Sequence, residues 1–248
     1  MRPNKRFWKN AGAILFWIAL WQFAAQSVGV ELLVPTPLRT LRTLCFMLAT
    51  KQLWLAVFSS IARIAAGFCL AFFAGTLCAV FSHRAAWFRT LFSPLIHLVR
   101  SVPVVSFIIL ALVWIRANFL PVFICFLMVF PMVWANVEEG LNAVDGKLLE
   151  VCRVMRVGKY QTLRAVYLPS LAPAMRAACV TGIGFAWKSG VAAEVLCKPK
   201  NALGTLLANG KFALDTPQVF AVTLVVVALS LMLDALVRKL WRVRDAEV

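Results

Sequence analysis

Four ionisable residues stand within apolar runs of this sequence: Arg63, Lys188, Glu194 and Asp234. In hydrocarbon surroundings such groups face a cavity, pair with one another or bond backbone carbonyls. Lys188 admits two readings. A pair of such lysines in a passage shared by two subunits would favour an anion such as a sulfonate or carboxylate. A single one at a helix interface would bond carbonyls or a polar neighbour. Glu194 follows Trp187 by one heptad, so both share a helix face. They read as packing or gate residues, with Glu194 equally suited to partner a cation. Arg63 lies six or seven residues into its apolar run. It either snorkels outward or pairs across helices, and the structural reading is preferred.

Other chemistries find no support. His83 and His97 have no companions at metal-ligand spacing, and the seven cysteines are scattered without a CxxC pair. Neither a metal site nor a disulfide framework follows. No Ser/His or His/Asp/Glu constellation stands at membrane depth, so no catalytic residues are assigned. The chain also lacks the G-x-x-x-x-G-K-[ST] phosphate cradle, so no nucleotide or other cofactor is expected on it.

The elements that must position these residues are helices. Apolar residues make up 62% of the chain and charged residues 15%, against roughly half and a quarter in soluble domains. Runs of about twenty apolar residues suit helices crossing a bilayer, and no alternating ten-residue segments suggest a barrel. The chain reads as an all-α membrane protein with about six transmembrane helices, at about 11–30, 57–81, 94–115, 119–136, 174–196 and 218–238. Pro94 and Pro103 interrupt the third. Residues 1–30 form a basic segment and retained first span, and 31–248 the core. "VPTPLRTLRTLCFML" reads as an interfacial elbow helix. Gly67, Ala71 and Gly75 recur at four-residue spacing in the second span, which lets helices approach closely.

The net charge of +16 lies mainly between the spans. That distribution fits the positive-inside rule and speaks against nucleic acid as a partner. The side carrying both termini also holds Arg84, Arg89, Lys147, Arg153, Arg156, Lys159, Arg164 and Arg176. It has more than twice the cations of the other side, which places both termini in the cytoplasm.

One cytoplasmic segment, about 137–173, is neither apolar nor short. Asp145 can cap a helix reaching Tyr160, with Leu148, Leu149, Cys152 and Met155 at helical intervals. "VYLPSLAP" then stops the pattern, Pro169 and Pro173 turning the chain toward the membrane. Such a helix suits docking to a soluble partner, or lies as a charged loop on lipid head groups.

Glu150-Val151-Cys152, followed at long spacing by Val166-Tyr167-Leu168-Pro169, resembles the EAA loop of binding-protein-dependent ABC importer permeases. Val151 and Cys152 stand for the two alanines. The motif glycine falls on Arg156, with Gly158 two residues later. "SSIARIAAGFCLAFFAG", "RSVPVVSFIIL", "GFAWKSGVAAEVL" and "NALGTLL" extend the resemblance, in order, to the nitrate/sulfonate/taurine branch. The resemblance implies a type I ABC importer permease fold in the bacterial inner membrane. It implies coupling through Glu150, Val151, Cys152, Arg156, Gly158, Leu168 and Pro169 to two ATPase subunits that carry ATP and magnesium. It further implies a second copy of this chain as partner, membrane lipid around it, and an extracytoplasmic solute-binding protein. Lys188, Trp187, Glu194 and Arg63 are the candidates for the translocation pathway. The alternative is an ion-driven secondary transporter, which would be expected to show internal repeats and several intramembrane carboxylates.

Overall fold

The computed structural model describes residues 5–245, so Arg2 and the last three residues of the basic tail lie outside it. Every regular element among the described residues is helical: α1 (Lys5–Val28), α2 (Pro37–Leu48), α3 (Lys51–Arg84), α4 (Ala86–Ser101), α5 (Val104–Ala111), α6 (Leu120–Asn142), α7 (Gly146–Val154), α8 (Lys159–Thr162), a π-helical turn (Leu163–Tyr167), α9 (Leu168–Cys197), α10 (Leu203–Phe212) and α11 (Thr216–Asp245).

The core is a three-helix layer in which α6 lies between α3 and α9. Small residues make that possible. A β-carbon at Gly67 would stand 2.6 Å from Cβ of Cys125, and one at Gly190 2.6 Å from Cγ1 of Ile64. Without a solvent-driven hydrophobic effect between membrane helices, close backbone approach and dispersion hold them together. Phe88 and Phe92 of α4 add an aromatic patch on Trp134 of α6, with ring centroids 5.6 and 6.1 Å apart. The elbow helix α2 starts at Pro37, and the Thr36 hydroxyl accepts the Arg39 amide at 3.4 Å. It packs on α11 and α3.

Two sequence expectations change, and the span count is met in part. First, α4 runs through Pro94 and ends at Ser101, and only Pro103 breaks the third span, as the residue before α5. The two halves are bent by 101°. Pro94 sits on the exposed side of α4, away from the residues that pack on the core.

Second, the segment 137–173 is helical at both ends. Helix α6 continues to Asn142, and residues 159–197 form one uninterrupted helical run. Leu168 and Pro169 therefore lie inside a helix and do not stop it. The π turn supplies the reason: the Leu168 amide bonds the Leu163 carbonyl, five residues back. The wider turn just ahead of Pro169 makes room for a ring that would clash with the preceding turn of an α-helix.

Third, length and composition qualify Lys51–Arg84, Leu120–Asn142 and Thr216–Lys239 to cross a membrane, with the bent α4–α5 pair as a fourth. Gly12–Val28 is an apolar stretch within α1. Helix α9 carries Arg176, Lys188 and Glu194 along an otherwise apolar length.

Candidate functional site

The first site is the turn around α7. Asp145 caps it, its carboxylate accepting the Lys147 amide at 2.8 Å. The helix stops at Val154, earlier than the periodicity suggests, because Arg156 adopts a left-handed conformation with φ of 51°. The Val157 amide reaches the Cys152 carbonyl at 2.9 Å and the Arg156 amide reaches Arg153 at 3.1 Å. These two bonds are a Schellman motif, whose left-handed position normally holds glycine. Arg156 stands where the resemblance expects the motif glycine, and its left-handed backbone is one that glycine adopts without strain.

The apolar stripe of α7 divides. Leu149 and Cys152 are half-buried and line a cavity of about 910 Å³ together with Arg84, Arg153, Tyr167 and Leu171. Leu148, Val151, Val154 and Met155 face outward, Val154 being 83% exposed. Glu150, Arg156 and Gly158 are exposed as well. Leu168 and Pro169 lie on the exposed side of the following helix.

The second site joins Arg63 and Glu194. Nη1 of Arg63 meets Oε1 of Glu194 at 3.1 Å, and Glu194 is fully buried. The other carboxylate oxygen accepts the Ser60 hydroxyl at 2.7 Å and the Gly204 amide at 3.2 Å. The Ser60 oxygen in turn accepts the Leu203 amide at 2.9 Å. Two orphan amides at the start of α10 are thus satisfied by side chains from α3 and α9, and the carboxylate sits at the positive end of that helix. Arg63 also donates to the carbonyls of Lys200 and Asn201, holding the loop between α9 and α10. A β-carbon at Gly204 would collide with Glu194, so glycine is required for the approach.

Trp187 is buried and donates its indole N–H to the Val226 carbonyl on α11 at 3.1 Å. Of the four pathway candidates, Lys188 is the exposed one. Sequence reasoning missed Ser60 and Gly204 as partners of Glu194. The signal was present: Ser60 and Arg63 stand three apart, hence on one helix face, and Gly204 belongs to "NALGTLL". It also missed Glu138, which accepts the Ser82 hydroxyl at 2.7 Å and pairs with Arg89 at 3.3 Å.

Three of the sequence segments quoted for the resemblance therefore meet at one buried carboxylate. The pattern that defines the binding-protein-dependent transport system inner membrane component family matches residues 67–242. This chain belongs to that family.

A Bacillus subtilis protein named for aliphatic sulfonates transport, the permease protein SsuC, is 26% identical over 91% of this chain and 82% of its own length. The nitrate import permease protein NrtB of a Synechocystis strain is 24% identical over 76% of this chain and 71% of its own. Among solved structures, the MetNI methionine ABC transporter in inward-facing form matches with a TM-score of 0.61 at 17% identity. The match covers 79% of this chain and 98% of that one, which establishes the shared fold. The protein is a multi-pass inner-membrane permease of an ABC importer with the type I fold, not itself an enzyme.

Proposed function

We propose that two copies of this permease form a translocation pathway for a small oxyanion, a sulfonate or nitrate-like solute delivered by an extracytoplasmic binding protein. Each copy spans the membrane six times with both termini in the cytoplasm, α1 and α9 completing the count. Two ATPase subunits carrying ATP and magnesium dock on the Asp145–Gly158 turn, α7 seating Glu150, Val151 and Cys152. The observation that carries this reading is the shape of that turn. A capped helix with a Schellman stop holds Val151, Val154 and Met155 in the open, 54%, 83% and 72% exposed. Apolar side chains fixed in that way on a charged surface suit a protein partner better than water.

The sulfonate and nitrate relatives support the cargo class, and Lys188 supports it from within the chain. Arg63, Glu194 and Trp187 serve this pathway as its wall, fixing α3, α9, α10 and α11 to one another. The experiment is co-purification of the ATPase subunits with Val154→Asp and Glu150→Ala permeases. Loss of the ATPase from a permease that still folds supports the docking role. Full retention by both variants overturns it.

A further inference from the structure

Helix α4 carries three different stripes. Phe88, Phe92 and Ile96 pack inward on the core. Leu91, Leu95 and Leu98 are exposed, at 63%, 54% and 53%, and suit lipid. The remaining side is polar, with Arg89, Ser93, His97 and Arg100 spaced by three or four residues along a half-span. That side borders a cavity of about 220 Å³ whose opposite wall is Pro131, Ala135 and Glu138 of α6.

The charges there do not balance. Glu138 is taken by Arg89 at 3.3 Å and by the Ser82 hydroxyl at 2.7 Å. Arg100 donates to the Pro131 carbonyl at 2.7 Å and meets no carboxylate among the described residues. It stands two residues before the break at Val102–Pro103, where the span turns by 101°. Irregular backbone and an unneutralised guanidinium at membrane depth persist where they line a polar passage or a protein contact. At about 30 Å³ per water, the cavity holds an anionic head group and a few waters, not a large solute.

We propose that this groove between α4 and α6 is an oxyanion station on the translocation pathway. Arg100 and His97 bind the anion's oxygens, Ser93 donates a hydrogen bond, and Arg89 is held back by Glu138. The inference rests on the permease reading above and gives Arg100, His97 and Ser93 a role in it that the sequence reading did not assign.

The test uses the full complex of permease, ATPase and binding protein with Ser93→Cys, following adducts at residue 93 by mass spectrometry. An anionic 2-sulfonatoethyl methanethiosulfonate should react about tenfold faster than its trimethylammonium analogue. Sodium nitrate should slow that reaction, and adding Arg100→Gln should abolish the preference. Equal rates, or a preference that survives Arg100→Gln, overturn the proposal. If Ser93→Cys fails to assemble, Ala135→Cys on the facing wall gives the same reading. In proteoliposomes, Arg100→Gln should cut uptake of nitrate or ethanesulfonate about tenfold with the ATPase still bound, while Leu95→Ala on the lipid stripe transports normally. A wild-type complex that selects the anionic reagent yet transports no anion refutes the cargo reading and leaves the station standing. Anion transport with unselective labelling refutes the station and leaves the cargo reading standing.

Discussion

Replacing Arg63 by leucine strips Glu194 of its cation while leaving the carboxylate buried. The Ser60 and Gly204 donors remain, at 2.7 and 3.2 Å, but the negative charge loses its countercharge. Removing one partner of a buried pair costs about 3–5 kcal/mol. Arg63 keeps 16% of its side chain exposed, so the low end, about 3 kcal/mol, is expected. For a chain of this size that corresponds to a drop of roughly 6–12 °C in melting temperature. Glu194→Gln is milder. The amide still accepts from Ser60 and Gly204, and Arg63 retains the Lys200 and Asn201 carbonyls and a route to solvent. About 1 kcal/mol, or roughly 2–4 °C, is expected. The double variant Arg63→Leu/Glu194→Gln should be more stable than Arg63→Leu alone, with a coupling energy of about 2 kcal/mol. The assay is size-exclusion recovery of detergent-purified permease after heating, across the four proteins of the cycle. Additive losses, or Glu194→Gln losing more than Arg63→Leu, would refute the placement of an unshielded carboxylate at this node.

Further outcomes follow from single positions. Arg156→Gly should relieve about 1 kcal/mol of left-handed strain and tighten ATPase association, read by co-purification at rising salt; Arg156→Val should do the opposite. Gly204→Ala should disrupt the α9–α10 contact, lowering the melting temperature by at least as much as Arg63→Leu, because its new methyl group meets main chain that cannot yield. Gly190→Leu should abolish folded protein in membranes, measured as loss of a monodisperse peak, since Ile64 and Cys125 already fill that space. Pro169→Ala should leave the helix intact and convert the π turn toward α geometry, visible as altered amide exchange at residues 163–168.

The sequence made the helical membrane class, the elbow helix, the Asp145 cap and the packing role of Gly67 legible, because each rests on local periodicity or a single cap. Glu194 and Arg63 were recognisable as costly residues, yet the α3 pair Ser60 and Arg63 meets Glu194 only across more than a hundred and thirty residues of chain. No local signal orders contacts separated by more than a hundred residues of chain. The Leu-Pro at 168–169 misled for a related reason. Proline rules describe an isolated helix, whereas here a π turn just upstream absorbs the ring. Arg156 was noticed only as a departure from a motif, and its left-handed backbone gives the departure a physical cost. The polar side of α4 was hidden because an interruption was expected at Pro94 as well as at Pro103, which cut its helical spacing in two, whereas α4 runs through Pro94.

The unbroken helical run from Lys159 to Cys197 has a mechanical consequence. At 1.5 Å per residue it is a rod of roughly 58 Å, with one end beside the exposed α7 turn and the other at the carboxylate that caps α10. Under the docking proposed above, this run joins the turn that the ATPase subunits engage to Glu194, the start of α10 and the loop that Arg63 grips. The π turn is the one point along the rod where hydrogen bonds can change register from five residues to four without breaking the helix. The chain thus contains a lever with a built-in clutch, and the clutch sits next to the proline.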